Sequence, residues 1–368
     1  IGLRSCAIFA MLSWLGSCPR RSRPRGTGEL SQVRGALMSD ESQPRCATQA
    51  EGAAPRLFGR RAVPENACDS GKVETSQHVA DHPPPPPPLA FQADAQLPVL
   101  LLHGVLGSHR SMQGIQDALT QAGIESLSLD LLGFGQSTWD AEEYDVDAHI
   151  AAIMASTSHW QEYVVVGHSF GSLLGQELLV RDSTRCLGCI SVATPASASL
   201  TEFYGQLCRS NPVSWFVLRA PECITWTICT LLCQQRWLWR PMASMVLAPL
   251  LAFIPEFGAL SRVLLEDFFD HSHKSFCGSV HCSLVPLLTR PLPKKVNSGR
   301  TVFMHGDKDA MCPLQNLRRK LGSSHDCKIV VVAREGHLSI LQRADVIAAA
   351  TVRLRAKVRK DLTGPSSK

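Results

Sequence analysis

The run Val164-Val165-Val166-Gly167-His168-Ser169-Phe170-Gly171 sets a serine between two glycines, after three β-branched residues and before Leu173, Leu174, Leu178 and Leu179 at helical spacing. Consecutive valines suit a strand covered on both faces. The order is strand, sharp turn, helix, a turn that strains the serine backbone and needs glycine on either side so that strand and helix pass closely. A serine pushed out on such a turn is placed for nucleophilic attack; the plainer reading is a structural serine. For attack it needs an imidazole to take its proton and a carboxylate to hold that imidazole in one tautomer. It also needs N–H donors aimed at the oxygen that becomes negative in a tetrahedral intermediate.

Several elements must position those groups. Residues 97–102 read as a buried strand ending in His103-Gly104-Val105-Leu106-Gly107-Ser108. A helix is expected over 111–121, a strand over 126–130, a helix over 146–155 and a strand over 189–193. Further strands are expected over 301–305, before Gly306-Asp307-Lys308-Asp309, and over 328–332, a last buried strand leading to Gly336-His337; a helix over 340–359 closes the chain. Strands alternating with helices imply βαβ units and a parallel sheet, whose ligands sit at the carboxyl ends of the strands. Asp130, Asp307, Asp309 and His337 all follow strands, whereas His325 precedes one and lies at the wrong end.

Together these motifs resemble the α/β-hydrolase family, specifically its serine hydrolases of esterase or lipase type, over about residues 97–360. The resemblance implies an α/β fold: a mostly parallel, doubly wound sheet, with core segments 97–195 and 294–360 and an inserted helical lid over 196–293. It implies Ser169 as nucleophile, His337 as general base and Asp309 as the acid, with Asp307 the competing carboxylate. The implied oxyanion donors are the N–H groups of Phe170 and Val105, Leu106 being the alternative to Val105. His103 is expected to hold its loop, and Asp130, in the pattern Asp130-x-x-Gly133-x-Gly135-x-Ser137, to organise a turn. The implied activity is hydrolysis of a carboxylic ester, a lipid acyl ester among them, or of a thioester, through an acyl-enzyme. No metal or organic cofactor is required, and the partner is a small-molecule acyl ester. Serine at this turn is unlike the relatives that open epoxides or remove halides, which need an aspartate there. Two alternatives stay open: an aminopeptidase of the same fold, needing Glu202 or Glu222 to hold a substrate amine, and an inactive hydrolase-like scaffold.

Composition narrows the rest. The net charge is +5, but residues 1–61 alone carry ten arginines, no lysine and four acids, so the remainder is close to neutral and no nucleic-acid surface is expected. Of fourteen cysteines, Cys186 and Cys189 make a Cys-x-x-Cys at a strand entrance, read as apolar core with a redox or metal role as the second reading. Cys208, Cys223, Cys229 and Cys233 read as buried thiols, or as disulfides if the protein is exported.

Residues 1–96 are expected to be an extension. Its apolar run over 6–16 is too short to span a bilayer and suits a secretory signal core, while five arginines ahead of Glu29 suit a mitochondrial or plastid transit peptide; a mistranslated upstream segment competes with both, and location stays open, with the cytoplasm as default. Pro83–Pro88 reads as a polyproline spacer, and 72–79 as a candidate strand at the sheet edge. The 196–293 insertion holds four of the seven tryptophans, Trp215, Trp226, Trp237 and Trp239, near Arg219, Arg236 and Arg240. They read as the lid's own core or as a surface facing an acyl chain or a membrane, through transient contact.

Overall fold

Strands that are apolar at every position need cover on both faces, and the computed structural model of the chain provides it. Residues 56–63, 97–137, 140–210, 224, 227, 231–232, 234–254, 257–293, 296, 299–322 and 327–363 are described. β1 (Gly59–Ala62), β2 (Val99–Leu102), β3 (Ser126–Leu129), β4 (Tyr163–His168), β5 (Cys186–Val192), β6 (Thr301–Gly306) and β7 (Lys328–Val332) form a sheet in the order β1-β3-β2-β4-β5-β6-β7. Every pairing is parallel except β1 with β3. The helices are α1 (Gln113–Gln121), α2 (Val146–Ser156), α3 (Phe170–Arg181), α4 (Leu200–Ser210), α5 (Arg236–Met242), α6 (Ala248–Leu251), α7 (Ser261–Asp267), α8 (His273–Gly278), α9 (Val285–Thr289), α10 (Leu314–Leu321) and α11 (Ala344–Thr363).

Successive strand residues point to opposite faces, and β4 uses both. Val165 packs in one apolar layer with Ile150 and Ile153 of α2 and Leu174 and Leu178 of α3. Val164 and Val166 pack in the other, with Ile115 and Leu119 of α1 and Ile347 and Leu354 of α11. Each such fully buried Val or Leu contributes about 1.5–3 kcal/mol, so the sheet centre is the most strongly held part of the site's support.

Strand register then gathers the loops. Leu102 lies beside Gly167, His168 beside Val192, Val192 beside Met304, and Gly306 beside Val332. The carboxyl ends of β2, β4, β6 and β7 therefore share one rim, from which the loops carrying Val105, Ser169, Asp309 and His337 leave. Close passage at the central turn depends on glycine: a Cβ on Gly171 would stand 2.4 Å from the Leu102 carbonyl oxygen, and one on Gly167 2.2 Å from the Gly171 carbonyl oxygen. Both neighbours are backbone, so neither yields without moving α3. Gly171→Ala is expected to cost about 3 kcal/mol or more, read as a lowered urea midpoint at unchanged slope; an unchanged midpoint would refute the close crossing.

Several expectations change. Among the described residues the antiparallel edge strand is β1, inside the expected extension; the 72–79 candidate lies outside the described residues, as do Pro83–Pro88 and the 6–16 run. β1 is largely exposed and takes its place through pairing with β3 and an Arg61–Glu125 ion pair at 2.7 Å. β7, expected to be buried, is the opposite edge, with only Val332 fully buried. β5 begins three residues earlier than expected and takes in Cys186 and Cys189, both free and buried. Burial pushes the Cys189 thiol up to about 12 and Cys186 well above its ordinary value, which suits apolar core. Cys208 is free too, while Cys223, Cys229, Cys233, Trp215, Arg219, Glu222, Trp226 and His325 lie outside the described residues. Between β5 and β6 the described insertion is helical, α4 to α9.

Candidate active site

Ser169 stands between the end of β4 and the first residue of α3, with φ +51° and ψ −116°. A non-glycine residue there stores about 1–3 kcal/mol of strain, held by the surrounding packing. The side chain is partly exposed at the rim. His337 follows β7 and is buried, and its Nε2 lies 3.0 Å from Ser169 Oγ. Asp309 follows β6 and is buried; its Oδ2 lies 2.9 Å from His337 Nδ1. A carboxylate accepts only, so Nδ1 carries the proton and donates it to Asp309, leaving the Nε2 lone pair facing the serine hydroxyl. The other Asp309 oxygen, Oδ1, accepts the Cys312 N–H at 2.7 Å.

The electrostatics agree with that arrangement. Burial pushes the Asp309 carboxyl up, but the facing His337 and the bonds it accepts hold it below its ordinary value. Burial disfavours a cationic His337, yet Asp309, with a smaller contribution from Cys312 beside it, outweighs it and holds the imidazole well above its ordinary value. Burial pushes the Cys312 thiol up and keeps it neutral, so Asp309 is the anion that matters. Asp307, the competing carboxylate, is exposed and accepts the Arg334 N–H at 2.6 Å, tying two loops together.

The oxyanion candidates flank the same serine. Phe170 is the first residue of α3, where an N–H has no intrahelical acceptor. Gly104 and Gly107 close a tight turn through a 3.1 Å bond, with Leu106 at φ +61°. A Cβ on Gly104 would lie 3.2 Å from Ser169 Cβ, so the loop that carries Val105 packs directly on the serine. His103 fixes that loop: its Nε2 accepts the Leu131 N–H at 2.9 Å, which leaves Nδ1 to donate to the Gly104 carbonyl at 2.7 Å. Asp130 accepts from the His109 N–H, His109 Nδ1 and the Gln136 N–H, the work of a turn organiser.

Two contributors escaped the sequence reading. His168 Nε2 donates to the His337 carbonyl at 2.9 Å, pinning the His337 loop, and burial pushes this imidazole down to about 3 so that it stays neutral. Cys312 supplies the N–H that orients Asp309. The His168 contact joins distant segments and no local spacing announces it, whereas Cys312 stands three residues after Asp309 in the same loop. Asp309, Cys312 and His337 also have ligand-type atoms within 4.8 Å of one another. Both ring nitrogens of His337 are already engaged, however, one by Asp309 and one facing Ser169. A separate cavity of about 430 Å³ lies beside the Asp130 turn, bounded by Ser108, Arg110, Arg236, Arg240 and Asp270, and none of Ser169, Asp309 or His337 lines it.

A family model described as the alpha/beta hydrolase fold matches residues 98–344. A probable lysophospholipase from Arabidopsis thaliana, BODYGUARD 5, is 24% identical over 286 residues, 71% of this chain and 62% of that protein, so the chain spans less than two thirds of its relative's length. A thermophilic esterase from Thermogutta terrifontis matches with TM-score 0.51 at 16% identity, over 83% of this chain and 94% of its own. An enol-lactonase from Burkholderia xenovorans matches with TM-score 0.53 at 14% identity, over 83% and 98%. These two likenesses speak for the fold.

Proposed function

This chain belongs to the alpha/beta hydrolase family, and from that premise we propose that it is a serine hydrolase cleaving a carboxylic ester through an acyl-enzyme on Ser169. The observation that carries the reading is the unbroken relay from Ser169 Oγ to His337 Nε2 at 3.0 Å and from His337 Nδ1 to Asp309 at 2.9 Å. His337 takes the hydroxyl proton as Ser169 attacks the carbonyl carbon. The Val105 and Phe170 N–H groups receive the oxyanion, and the intermediate collapses as the protonated His337 gives its proton to the departing alcohol. Water then enters and attacks the acyl carbon as His337 takes its proton, and the second intermediate collapses as His337 gives that proton to Ser169 Oγ, releasing the acid and restoring the serine.

The name of the Arabidopsis relative, a probable lysophospholipase, supports a lipid acyl ester as substrate class. The aminopeptidase alternative gains nothing from Glu202. That carboxylate accepts from Ala198 N–H at 2.9 Å and Ser197 Oγ at 3.0 Å and pairs with Arg319 at 2.7 Å, so it is already neutralised.

A fluorophosphonate probe is expected to label the wild type and leave Ser169→Ala unlabelled. p-Nitrophenyl esters should compete for labelling and amino-acid amides should not; a panel of acyl chains from about two to eighteen carbons then sets the preferred length. Absence of labelling in a folded wild-type sample would mark an inactive scaffold. The raised His337 pKa gives a second expectation. The base form is the neutral imidazole, so activity is lost as pH falls through that raised value. The ascending limb of kcat/KM should therefore stand above the ordinary histidine value of about 6.5; a midpoint below it would contradict the dominance of Asp309.

A further inference from the structure

The insertion holds a helical stretch whose burial is inverted. α5, a single wide π-turn over Ala243–Leu247 and α6 follow one another directly. In a helix of a soluble protein the large apolar side chains face inward and small or polar ones face water. Here the two fully buried residues are alanines, Ala243 at 7% exposure and Ala248 at 4%, with Trp239 and Leu251 half-buried. Most of the large apolar side chains face outward: Trp237 is 75% exposed, Met245 78% and Phe253 86%, with Met242, Val246 and Leu250 exposed between them. Pro241 and Pro249 lack the N–H that a regular helix uses, and the wide turn between them lets the stretch keep its outward face through both. The stretch is anchored from beneath, where Arg240 pairs with Asp270 at 3.2 Å and Glu266 with Ser244 Oγ at 3.1 Å.

We propose that this outward apolar face, running over 236–254, docks on a phospholipid bilayer surface. An exposed apolar area of this extent marks a contact site, and the chemistry around it selects lipid. From Cys223 to Ile254 there is no Asp or Glu. Arg236 and Arg240 stand at one end with Trp237 and Trp239, and aliphatic and phenyl side chains follow, which is the make-up of a helix lying in the headgroup region. Arg236 and Arg240 also border the polar cavity of about 430 Å³, so the basic side of the stretch opens on a polar recess while its other side is purely apolar. Arg240 is already paired with Asp270 and Glu266, so the apolar side chains carry the contact, and tryptophan beside aliphatic residues is the make-up that suits a bilayer's headgroup boundary. The inference goes beyond the hydrolase reading and does not depend on it.

The test is co-sedimentation of the full chain with vesicles of phosphatidylcholine alone and of phosphatidylcholine with about one third phosphatidylglycerol. Wild type should pellet with the mixed vesicles. Met245→Glu with Phe253→Glu should lower the bound fraction about tenfold or more by putting two carboxylates into the contact, while thermal unfolding stays at the wild-type midpoint because both positions are exposed. Ser169→Ala should sediment like wild type, so a failed hydrolase assay and a failed binding assay are told apart. Equal binding to both vesicles supports the bilayer and assigns it to the apolar term. Wild type left in the supernatant with both vesicles, or a double variant that pellets as wild type does, overturns the proposal. So does a wild-type dimer that the double variant turns into a monomer without vesicle binding, since the occupant is then a second copy.

Discussion

Ser169→Ala is expected to lower kcat for an activated ester by about 10⁴–10⁶-fold, and His337→Ala by a similar factor. The double variant should be little worse than either, because hydroxyl and imidazole act as one unit across their 3.0 Å contact. Additive losses would show that the two side chains serve separate steps. The backbone supplies an independent check. Ser169 sits at φ +51°, which alanine shares without relief and glycine adopts freely. Ser169→Gly should therefore be as inactive as the alanine variant but more stable, by about 1–3 kcal/mol, and a urea titration measures the difference. Equal stability of the alanine and glycine variants would deny the strain.

Legibility in the sequence followed burial. β2 and β4 are fully buried and carry continuous apolar runs, so they are recognisable without any partner. β1 is Gly59-Arg60-Arg61-Ala62, exposed at three of four positions, and owes its conformation to the backbone of β3; nothing in four such residues distinguishes it from a loop. β7 misleads in the other direction. Its Ile329-Val330-Val331-Val332 run has the look of a central strand, yet it is an edge on which Val331 remains exposed. The site follows the same logic. Ser169, Asp309 and His337 each stand in a local motif at a strand end, whereas His168 is joined to the loop it holds only by the fold, reaching the His337 carbonyl across 169 positions. The insertion was legible as apolar and tryptophan-rich, but composition does not tell a lid's core from its outer surface. Only the burial of Ala243 and Ala248 beneath exposed Met245 and Phe253 separates the two.

Asp309→Asn is expected to cost about 10³–10⁴-fold in kcat, although it removes a single charge and keeps the shape of the side chain. Asp309 accepts on both oxygens, from His337 Nδ1 at 2.9 Å and from the Cys312 N–H at 2.7 Å, in a buried site. An asparagine has one accepting oxygen. If it serves Cys312, the amide N–H₂ faces His337, Nδ1 becomes the acceptor, and Nε2 carries the proton toward Ser169, where it is useless as a base. If the amide turns over, the N–H₂ opposes the Cys312 N–H and a buried donor is left unmet, at about 1–3 kcal/mol. In either case the anion that raised His337 is gone, so the residual activity should show its ascending limb at lower pH than wild type. The linkage to stability has the same origin. Asp309 has a depressed carboxyl pKa in the folded state, so its contribution is present above the unfolded carboxyl value, near 3.9, and is lost as pH falls through the depressed one; Asp309→Asn should flatten the acid limb of the stability curve. Asp307→Asn serves as the control, since that side chain is exposed and bonds the Arg334 N–H. A larger loss from Asp307→Asn than from Asp309→Asn, or a wild-type pH limb in the Asp309 variant, would transfer the acid's role away from Asp309 and with it the reason for the His337 tautomer.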